Sequence, residues 1–377
     1  MTVIFSTDDG WILSHLQYLN NIYNVVTSNK HKCSLKFDEN IFEINSQYLR
    51  TNQCGHDFEN EIFNRKRKRK HTKKLPLQNL AETHLVKNKF NQIIPQAKAA
   101  GFFSCNIHSD NNKIALEASQ KVYSDTFDIK IENLYGSNNN DTAILTEVNS
   151  EKYVFPKKCR FYCYDISEMT DKINLRRQYD FILLDPPWWN KSVRRKKIKQ
   201  TKASYKMIYN EDLIQIPIKE LLSKKGLIAV WCTNAPSHLD SILNELFPAW
   251  GIIYRATWYW VKITQIGTTI CNFNDFPGKQ PYELLILGAS KLCDTYIPTD
   301  KLLISVPSAI HSHKPPIIEV LKNYLPENPQ SLEIFARYLL PDSTSWGLEV
   351  LKFQHLSLYT ITNNEIEDIN IEEHNYE

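Results

Sequence analysis

The segment Asp185-Pro186-Pro187-Trp188 combines residue types that could carry out chemistry on an amine. The Asp185 carboxylate and the Pro186 carbonyl are two hydrogen-bond acceptors, and the consecutive prolines hold that carbonyl with little conformational freedom. Two fixed acceptors beside an exocyclic aromatic amine would bias its lone pair towards sp³ character and make the nitrogen a better nucleophile. Trp188 adds a flat face on which a base could stack. We therefore predict that these four residues are catalytic, the alternative being a strand-ending turn with a core tryptophan.

An α/β sheet is the structure that would position this segment. Short runs of β-branched and aromatic residues predict strands, and amphipathic stretches predict helices. The predicted strands are residues 160–165, 179–185, 226–232, 254–262, 282–288, 302–306 and 332–337, and the predicted helices include residues 236–247 and 315–325. Apolar strands that alternate with helices are typical of a sheet covered on both faces. Ligands of such sheets bind at the carboxyl ends of the strands, which singles out Asp165 and Asp185.

The chain is predicted to divide near residue 150. Residues 1–150 form a region of mixed α/β character, for which we expect a role in positioning the substrate. Residues 136–142, GSNNNDT, are expected to be a loop near its end, because Gly, Ser and Asn favour irregular structure. Residues 151–356 are the predicted catalytic domain, and residues 357–377 an acidic C-terminal tail.

Composition argues against a membrane protein, a secreted protein and a metal-binding protein. The chain has 377 residues and a formal net charge of +3, so its overall charge says little about partners. No apolar run is long enough for a membrane helix, and the first residues lack the pattern of a secretory signal. The 8 cysteines include no Cys-X-X-Cys pair, which favours free thiols in a reducing compartment. We therefore expect no membrane partner and no metal.

Two basic segments point to nucleic acid. Residues 191–202, KSVRRKKIKQTK, carry seven positive charges shortly after Trp188. Such a loop would attract a phosphate backbone, and Tyr205 could stack on a base; a solvated loop is the alternative. Residues 65–74, RKRKRKHTKK, are similar to a nuclear-localisation signal, although such runs are often solvated linkers. We therefore expect a nuclear protein, with the cytosol as a second location.

The motifs between residues 160 and 355 together resemble a known family. YDFILLDPPWWNKS, followed by KELL and GLIAVWCTN, resembles the DPPW-type adenine-N6 methyltransferases, the family of the mRNA adenosine methylase. Residues 190–195, 305–321 and 344–354 narrow the resemblance to the methyltransferase-like-4 branch. The resemblance implies a Rossmann-like methyltransferase fold, S-adenosylmethionine as donor, S-adenosylhomocysteine as product and adenine in a polynucleotide as acceptor. Small nuclear RNA, such as U2, is the favoured substrate, DNA is the alternative, and we expect a monomer.

The resemblance also implies roles for individual residues. Lys314 would pair with the methionine carboxylate of the cofactor, Arg337 would lie on the ribose side, and Glu283 would contact the acceptor adenine. The implied cofactor-binding residues are Asp165, Ile166, Asp185, Lys314, Arg337 and Glu349. The implied substrate-binding residues are Asn190, Lys191, Ser192, Arg194, Arg195, Tyr205, Lys262 and Glu283.

Two positions depart from the branch. The branch usually has Asn where this chain has Tyr338 and Leu348. A leucine cannot make the side-chain hydrogen bonds that an amide would offer the cofactor ribose, and losing one costs about 1 kcal/mol of binding free energy. An active methyltransferase is therefore the prediction, with two alternatives. One is a catalytically silent relative that binds nucleic acid, and the other is an enzyme that methylates an amine of a protein or small molecule.

Overall fold

The computed structural model describes residues 2–28, 31–48, 77–103, 112–126, 129, 131–188, 208–274 and 278–362. In these residues the strands are β1 (Val3–Thr7), β2 (Gly10–Leu13), β3 (Val26–Ser28), β4 (His31–Cys33), β5 (Leu35–Phe37), β6 (Leu134–Asn138), β7 (Ala143–Val148), β8 (Glu151–Phe155), β9 (Cys159–Cys163), β10 (Tyr179–Leu184), β11 (Leu222–Cys232), β12 (Ile252–Lys262), β13 (Tyr282–Ser290), β14 (Leu302–Ser305), β15 (Ser331–Ile334), β16 (Ser343–Trp346) and β17 (Tyr359–Ile361). The α-helices are α1 (His15–Ile22), α2 (Leu77–Ala99), α3 (Lys113–Thr126), α4 (Met169–Lys172), α5 (Asn210–Ile214), α6 (Ile218–Leu221), α7 (Pro236–Ser241), α8 (Phe247–Trp250) and α9 (Ile318–Leu321). A π-helical turn, Ile242–Leu246, joins α7 to α8.

A mostly parallel sheet of eleven strands lies at the centre of the described part of the chain. Its order is β1-β2-β14-β12-β13-β11-β10-β15-β16-β9-β6. From β11 to β9 the neighbouring strands are parallel, so their carboxyl ends meet at one edge, whereas β13 is antiparallel to β11 and β12. β10 is apolar on both faces because it pairs with β11 and β15 in the middle of the sheet. Asp185 therefore leaves β10 at the edge where parallel sheets bind ligands.

Apolar cores lie against both faces of this sheet. On one face, Val86 and Phe90 of α2 share a core with Ile182 of β10. On the other face, Leu183 packs in a core with Trp231 and with side chains of α9. Burying one large apolar side chain contributes about 1.5–3 kcal/mol to folding, so both layers stabilise the position of β10.

Strands from before residue 151 are integral to the sheet. β2 pairs with β14 near one edge, and β6 pairs with β9 at the other. β3, β4, β7 and β8 form a separate four-stranded sheet, and β5 pairs with β17. Tyr18 and Phe42 from this region share a core with Tyr338 and Phe353. The domain boundary near residue 150 stays a prediction.

The predicted α/β fold class is confirmed, and a strand occupies each segment predicted as one after residue 153. The helix predicted over residues 236–247 continues to Trp250 and ends at Gly251, whose φ of 70° suits a left-handed cap. The helix predicted over residues 315–325 is shorter, since it consists of α9 and a 3-10 turn, Lys322–Tyr324.

The loop predicted over residues 136–142 is wrong at its start, where Gly136 and Asn138 belong to β6. Polar residues form a strand here because they pair with β9 and because the buried Asn138 side chain has hydrogen-bond partners. The Asn138 amide donates to the carbonyls of Thr142 and Pro156, each at 2.9 Å. The basic segment 65–74, the basic segment 191–202 and the last residues of the predicted tail lie outside the described residues.

Candidate functional site

Asp185 lies at the carboxyl end of β10, with each carboxylate oxygen next to a different cation. Arg337 Nη1 donates to Oδ2 at 2.8 Å, and Lys314 Nζ lies 3.5 Å from Oδ1. Arg337 follows β15, the parallel neighbour of β10, and Lys314 precedes α9. All three residues are less than a tenth exposed. The two cations therefore hold the carboxylate in one orientation through charge-assisted contacts.

Lys314 links Asp185 to a second carboxylate, that of Glu283 on β13. Lys314 Nζ donates to Glu283 Oε2, and Lys262 Nζ donates to Glu283 Oε1. Lys262 Nζ also lies 4.4 Å from the centre of the Trp260 ring, a cation–π contact. Burial would raise the pKa of Glu283, but Lys262 and Lys314 outweigh burial and hold that pKa below its ordinary range. Burial would likewise lower the pKa of Lys314, but Asp185 and Glu283 outweigh it and raise that pKa.

Arg337 extends the series of opposite charges on the other side of Asp185. Arg337 Nε lies 3.3 Å from Glu349 Oε2, and Lys352 Nζ lies 2.7 Å from Glu349 Oε1. The Glu349 side chain is 35% exposed against 10% for Asp185, so Glu349 is the more open to a ligand. The complete series is Lys262, Glu283, Lys314, Asp185, Arg337, Glu349 and Lys352. Alternation of sign gives each charge an opposite partner, which buried ions require.

The two prolines turn the chain so that Trp188 lies inside the protein. The Trp188 backbone N–H donates to the Pro186 carbonyl at 2.8 Å, which leaves the second lone pair of that oxygen for a ligand. The indole N–H donates to the Trp231 carbonyl at 2.7 Å. The ring stacks on His238, with centroids 5.0 Å apart and planes 18° apart. Because His238 takes one face, a base could stack on at most the other face of Trp188.

The segment after β11 connects the acceptor side of this site to helix α2. Asn234 Nδ2 donates to the carbonyl of Tyr282, the residue before Glu283, at 2.7 Å. The Tyr282 hydroxyl donates to Glu82 Oε1 of α2 at 2.9 Å. Sequence reasoning missed both contacts. Asn234 gave a weak signal, since it follows the end of an apolar strand, but Glu82 sits within a helix about 200 residues away in sequence.

Glu333 on β15 is another acid that sequence reasoning missed. It is 4% exposed, and its Oε2 has no hydrogen-bond partner in the described part of the chain. Burial, then the charge of Asp185, raises the pKa of Glu333 to about 8, while Arg337 opposes the rise. Glu333 is therefore mostly protonated at neutral pH. The available signal was an acid inside an apolar strand, since polar groups in such positions are costly to bury.

The residues predicted to bind the cofactor lie along the carboxyl edge of the sheet. Asp165 follows β9 and accepts hydrogen bonds from the Ser167 N–H at 3.0 Å and its hydroxyl at 2.8 Å. Ile166 packs partly buried against the core, and Glu349 follows β16, the neighbour of β9. S-adenosylmethionine carries a carboxylate, a ribose diol and an adenine ring. Cations at Lys314 and Arg337, the Glu349 carboxylate and an apolar surface at Ile166 match those groups, so the donor set fits.

Tyr338 and Leu348, the two residues that differ from the methyltransferase-like-4 branch, have different surroundings. Tyr338 is 3% exposed, its hydroxyl donates to the Lys314 carbonyl at 3.2 Å, and its ring packs 5.4 Å from His313. Tyr338 therefore supports the segment that carries Lys314. Leu348 is 49% exposed, and its carbonyl lies 3.4 Å from the Cys163 thiol that donates to it.

Several predicted residues are not located by the structure. The substrate-binding predictions outside the described residues are Asn190, Lys191, Ser192, Arg194, Arg195 and Tyr205. Of the other two, Lys262 and Glu283 pair with each other, and their contacts with nucleic acid stay predictions. Within the described ranges, no group of three or more His, Cys, Asp or Glu side chains could hold a metal ion. No helix in those ranges is long and apolar enough to cross a membrane.

Comparison with known proteins agrees with the fold class. Residues 179–349 match the MT-A70 family, and residues 99–256 match a family described as probable N6-adenine methyltransferase. The chain is 41% identical over 234 residues to the human N(6)-adenine-specific methyltransferase METTL4, covering 59% of this chain and 48% of that protein. It is 33% identical over 218 residues to the N6-methyladenosine RNA methyltransferase MTA1 of Pyricularia oryzae, covering 55% of this chain and 56% of that one.

A likeness at lower identity extends into the N-terminal region. The chain is 27% identical over 378 residues to the DNA N6-methyl methyltransferase of Caenorhabditis elegans, covering 93% of this chain and 97% of that protein. The chain spans about half the length of the human relative.

Fold and site together are consistent with a Rossmann-like methyltransferase fold, with an Asp-Pro-Pro-Trp motif at the carboxyl edge of a mostly parallel sheet. The part of the chain that carries this site, residues 179–349, is the part that matches the MT-A70 family.

Proposed function

We propose that this protein is an S-adenosylmethionine-dependent methyltransferase that acts on the N6 amine of adenine in a polynucleotide. One observation carries the proposal. The Asp185 carboxylate is fixed by Lys314 and Arg337 at the carboxyl end of β10, directly beside the Pro186 carbonyl. The match of residues 179–349 to the MT-A70 family supports the same reaction.

Asp185 and Pro186 act on the acceptor amine. Each accepts one N–H of the amine, which draws the nitrogen lone pair out of conjugation and directs it at the methyl group. Lys314 and Arg337 orient the carboxylate beforehand, so little reorganisation accompanies the reaction. The proton that N6 loses is released to solvent after the methyl group has been transferred.

The charged series also provides the groups that would hold the cofactor. A lysine ammonium has three donors, and those of Lys314 reach Glu283 and Asp185, so one donor remains for the methionine carboxylate. Arg337 and Glu349 would lie at the ribose, and Asp165 with Ile166 at the adenine. Bound S-adenosylmethionine supplies an electrophilic methyl group and becomes S-adenosylhomocysteine.

RNA is the polynucleotide that we propose as the main substrate, and small nuclear RNA as its class. The basic segment 191–202 directly follows the catalytic motif and supports a polyanionic acceptor. The fungal relative is named as an RNA methyltransferase and the worm relative as a DNA methyltransferase, so DNA is the competing substrate.

The test is transfer of labelled methyl from S-adenosylmethionine to matched pools of small nuclear RNA, mRNA and DNA, read by nucleoside mass spectrometry. We expect N6-methyladenosine label concentrated in small nuclear RNA. Label concentrated in DNA would replace the RNA proposal and leave the reaction intact. Nucleic-acid binding without cofactor binding and without label in any pool would instead favour a silent binding protein.

We also propose a nuclear location and a monomeric state. Residues 65–74 are the basis for the location, since basic runs of this kind act as import signals. A fluorescent fusion should be nuclear and become cytosolic when these lysines and arginines are replaced by glutamine. Light scattering should give the mass of one chain, 44.1 kDa.

A further inference from the structure

Three aromatic rings stack across neighbouring strands at the β6 edge of the central sheet. Tyr135 of β6 pairs with Tyr162 of β9, and Tyr162 pairs with Trp346 of β16. The Tyr135 and Tyr162 rings are 6.2 Å apart with planes 20° apart, and the Tyr162 and Trp346 rings are 5.2 Å apart with planes 22° apart. We call these three residues the aromatic ladder. Trp346 is fully buried, whereas Tyr135 is 48% exposed, so the ladder leads from the core to the surface.

The ladder differs from most aromatic contacts of this protein in its near-parallel planes. Core pairs such as Tyr259 with Tyr282 meet edge to face, with planes 84° apart. Tyr135 makes no ring contact other than that with Tyr162 in the described part of the chain. A near-parallel stack that ends in a half-exposed ring offers its outer member as a surface for one more flat ring. Bases of single-stranded nucleic acid bind to exposed aromatic rings in this way, whatever their sequence.

Two arginines near the ladder form no ion pair with a carboxylate among the described residues. Arg160 lies two positions before Tyr162 on β9, hence on the same face of the sheet, and is a diagonal neighbour of Tyr135. Arg160 forms no ion pair with any described residue. Arg177 donates to the neutral side chain of Gln330 at 2.6 Å and lies 5.7 Å from the centre of the Tyr179 ring, a residue that Arg160 and Tyr162 also approach. Guanidinium groups that have no carboxylate partner in the described part of the chain, next to a stacking surface, suit contact with a phosphate backbone.

We propose that the aromatic ladder, with Arg160 and Arg177, is a contact surface for single-stranded nucleic acid outside the catalytic site. One base stacks on Tyr135 and its flanking phosphates meet the arginines. This inference rests on the proposed function, since it names a second contact for the same polynucleotide. Tyr162 and Trp346 lie on β9 and β16, the strands that lead to Asp165 and Glu349, and Tyr135 lies on the neighbouring strand β6, so a bound strand would be held close to the catalytic edge.

The test compares Tyr135→Leu with Tyr135→Phe in binding to a fluorescein-labelled single-stranded oligoadenylate, measured by fluorescence anisotropy. Leucine keeps apolar packing at the strand edge but removes the ring, so we expect affinity to fall about tenfold. Phenylalanine keeps the ring and should bind like the wild type. Tyr296→Leu is the matched control, because Tyr296 is 82% exposed and lies outside the ladder.

Arg160→Gln tests the charged half of the surface by the dependence of affinity on salt. Removal of one phosphate contact should reduce the slope of log affinity against log salt by about 0.7–0.9, whereas Tyr135→Leu should leave the slope unchanged. Methyl transfer to the same oligonucleotide should show a raised KM and an unchanged kcat in both variants.

The inference is overturned if Tyr135→Leu binds as tightly as the wild type, or if Tyr135→Phe loses as much affinity as leucine. If the wild type binds and methylates the oligonucleotide, either of these variant results leaves the proposed function unaffected. A wild type that transfers no methyl group would instead remove the proposed function.

Discussion

Replacing Glu333 by glutamine should remove a pH dependence from the stability of this protein. Glu333 is 4% exposed, and burial with the charge of Asp185 raises its pKa from 4.5 to about 8. Between these two pH values the folded chain keeps a proton that the unfolded chain has released. The stability that this proton provides is fully present below about pH 4.5 and is lost as pH rises through 8. Glutamine has the shape of the protonated acid but cannot ionise.

The size of this change in unfolding free energy follows from the raised pKa of Glu333. Each pH unit in that interval changes the free energy of unfolding by about 1.4 kcal/mol, so the wild type should lose about 2–3 kcal/mol relative to Glu333→Gln between pH 6 and pH 9. Histidines, cysteines and lysines titrate in both proteins and cancel in the difference.

The assay is urea unfolding of both proteins at closely spaced pH values, with the difference in unfolding free energy plotted against pH. Relative to the wild type, the glutamine variant should gain unfolding free energy from pH 6 to about pH 8, and the difference should level off towards pH 9. Asp180→Asn on the neighbouring strand β10 is a matched control, which should run parallel to the wild type. A difference between wild type and Glu333→Gln that stays constant from pH 6 to pH 9 would refute a raised pKa at Glu333.

Three further predictions concern Lys314, the ribose side of the cofactor site and the N-terminal region. Tyr338→Phe removes one buried hydrogen bond to Lys314 and should lower the unfolding free energy by about 1 kcal/mol while raising the KM for the cofactor; an unchanged KM would show that Tyr338 does not position Lys314. Leu348→Asn should tighten S-adenosylhomocysteine binding about fivefold in calorimetry, since it restores one hydrogen bond, and weaker binding would contradict this. A chain that begins at Tyr153 should show no cooperative unfolding, because it lacks the core residues of α2, and a sharp thermal transition would contradict that role.

The strands of the sheet could be predicted where burial leaves a plain apolar pattern. β10 and β13 lie between neighbours on both sides and read as continuous apolar runs. β16 and β6 were not predicted, because Ser343–Trp346 and Leu134–Asn138 are mostly small or polar. Such residues form strands here through pairing with β9 and β15, and tertiary pairing leaves no periodicity in the sequence.

The candidate site could be predicted only in part. The motif at Asp185 was visible because its residue types are rare in that order. Lys314 and Arg337 are separated from it by more than a hundred residues, so only the resemblance to a family joined them. Glu333 and His238 act through burial and stacking, properties of the folded chain that neither spacing nor composition records.

The most direct test of the central claim is methyl transfer by Asp185→Asn. Asparagine keeps the size of the side chain but loses the charge that Arg337 and Lys314 orient, whereas alanine would leave two buried cations without their shared partner. The assay is single-turnover transfer to adenine in the preferred polynucleotide, with circular dichroism and S-adenosylhomocysteine binding as checks on fold and site, and Asp180→Asn as control. We predict N6-methyl label with the wild type and the control, and a loss of at least about a hundredfold with Asp185→Asn. Undiminished N6 methylation by Asp185→Asn would contradict the proposal that this carboxylate activates the amine.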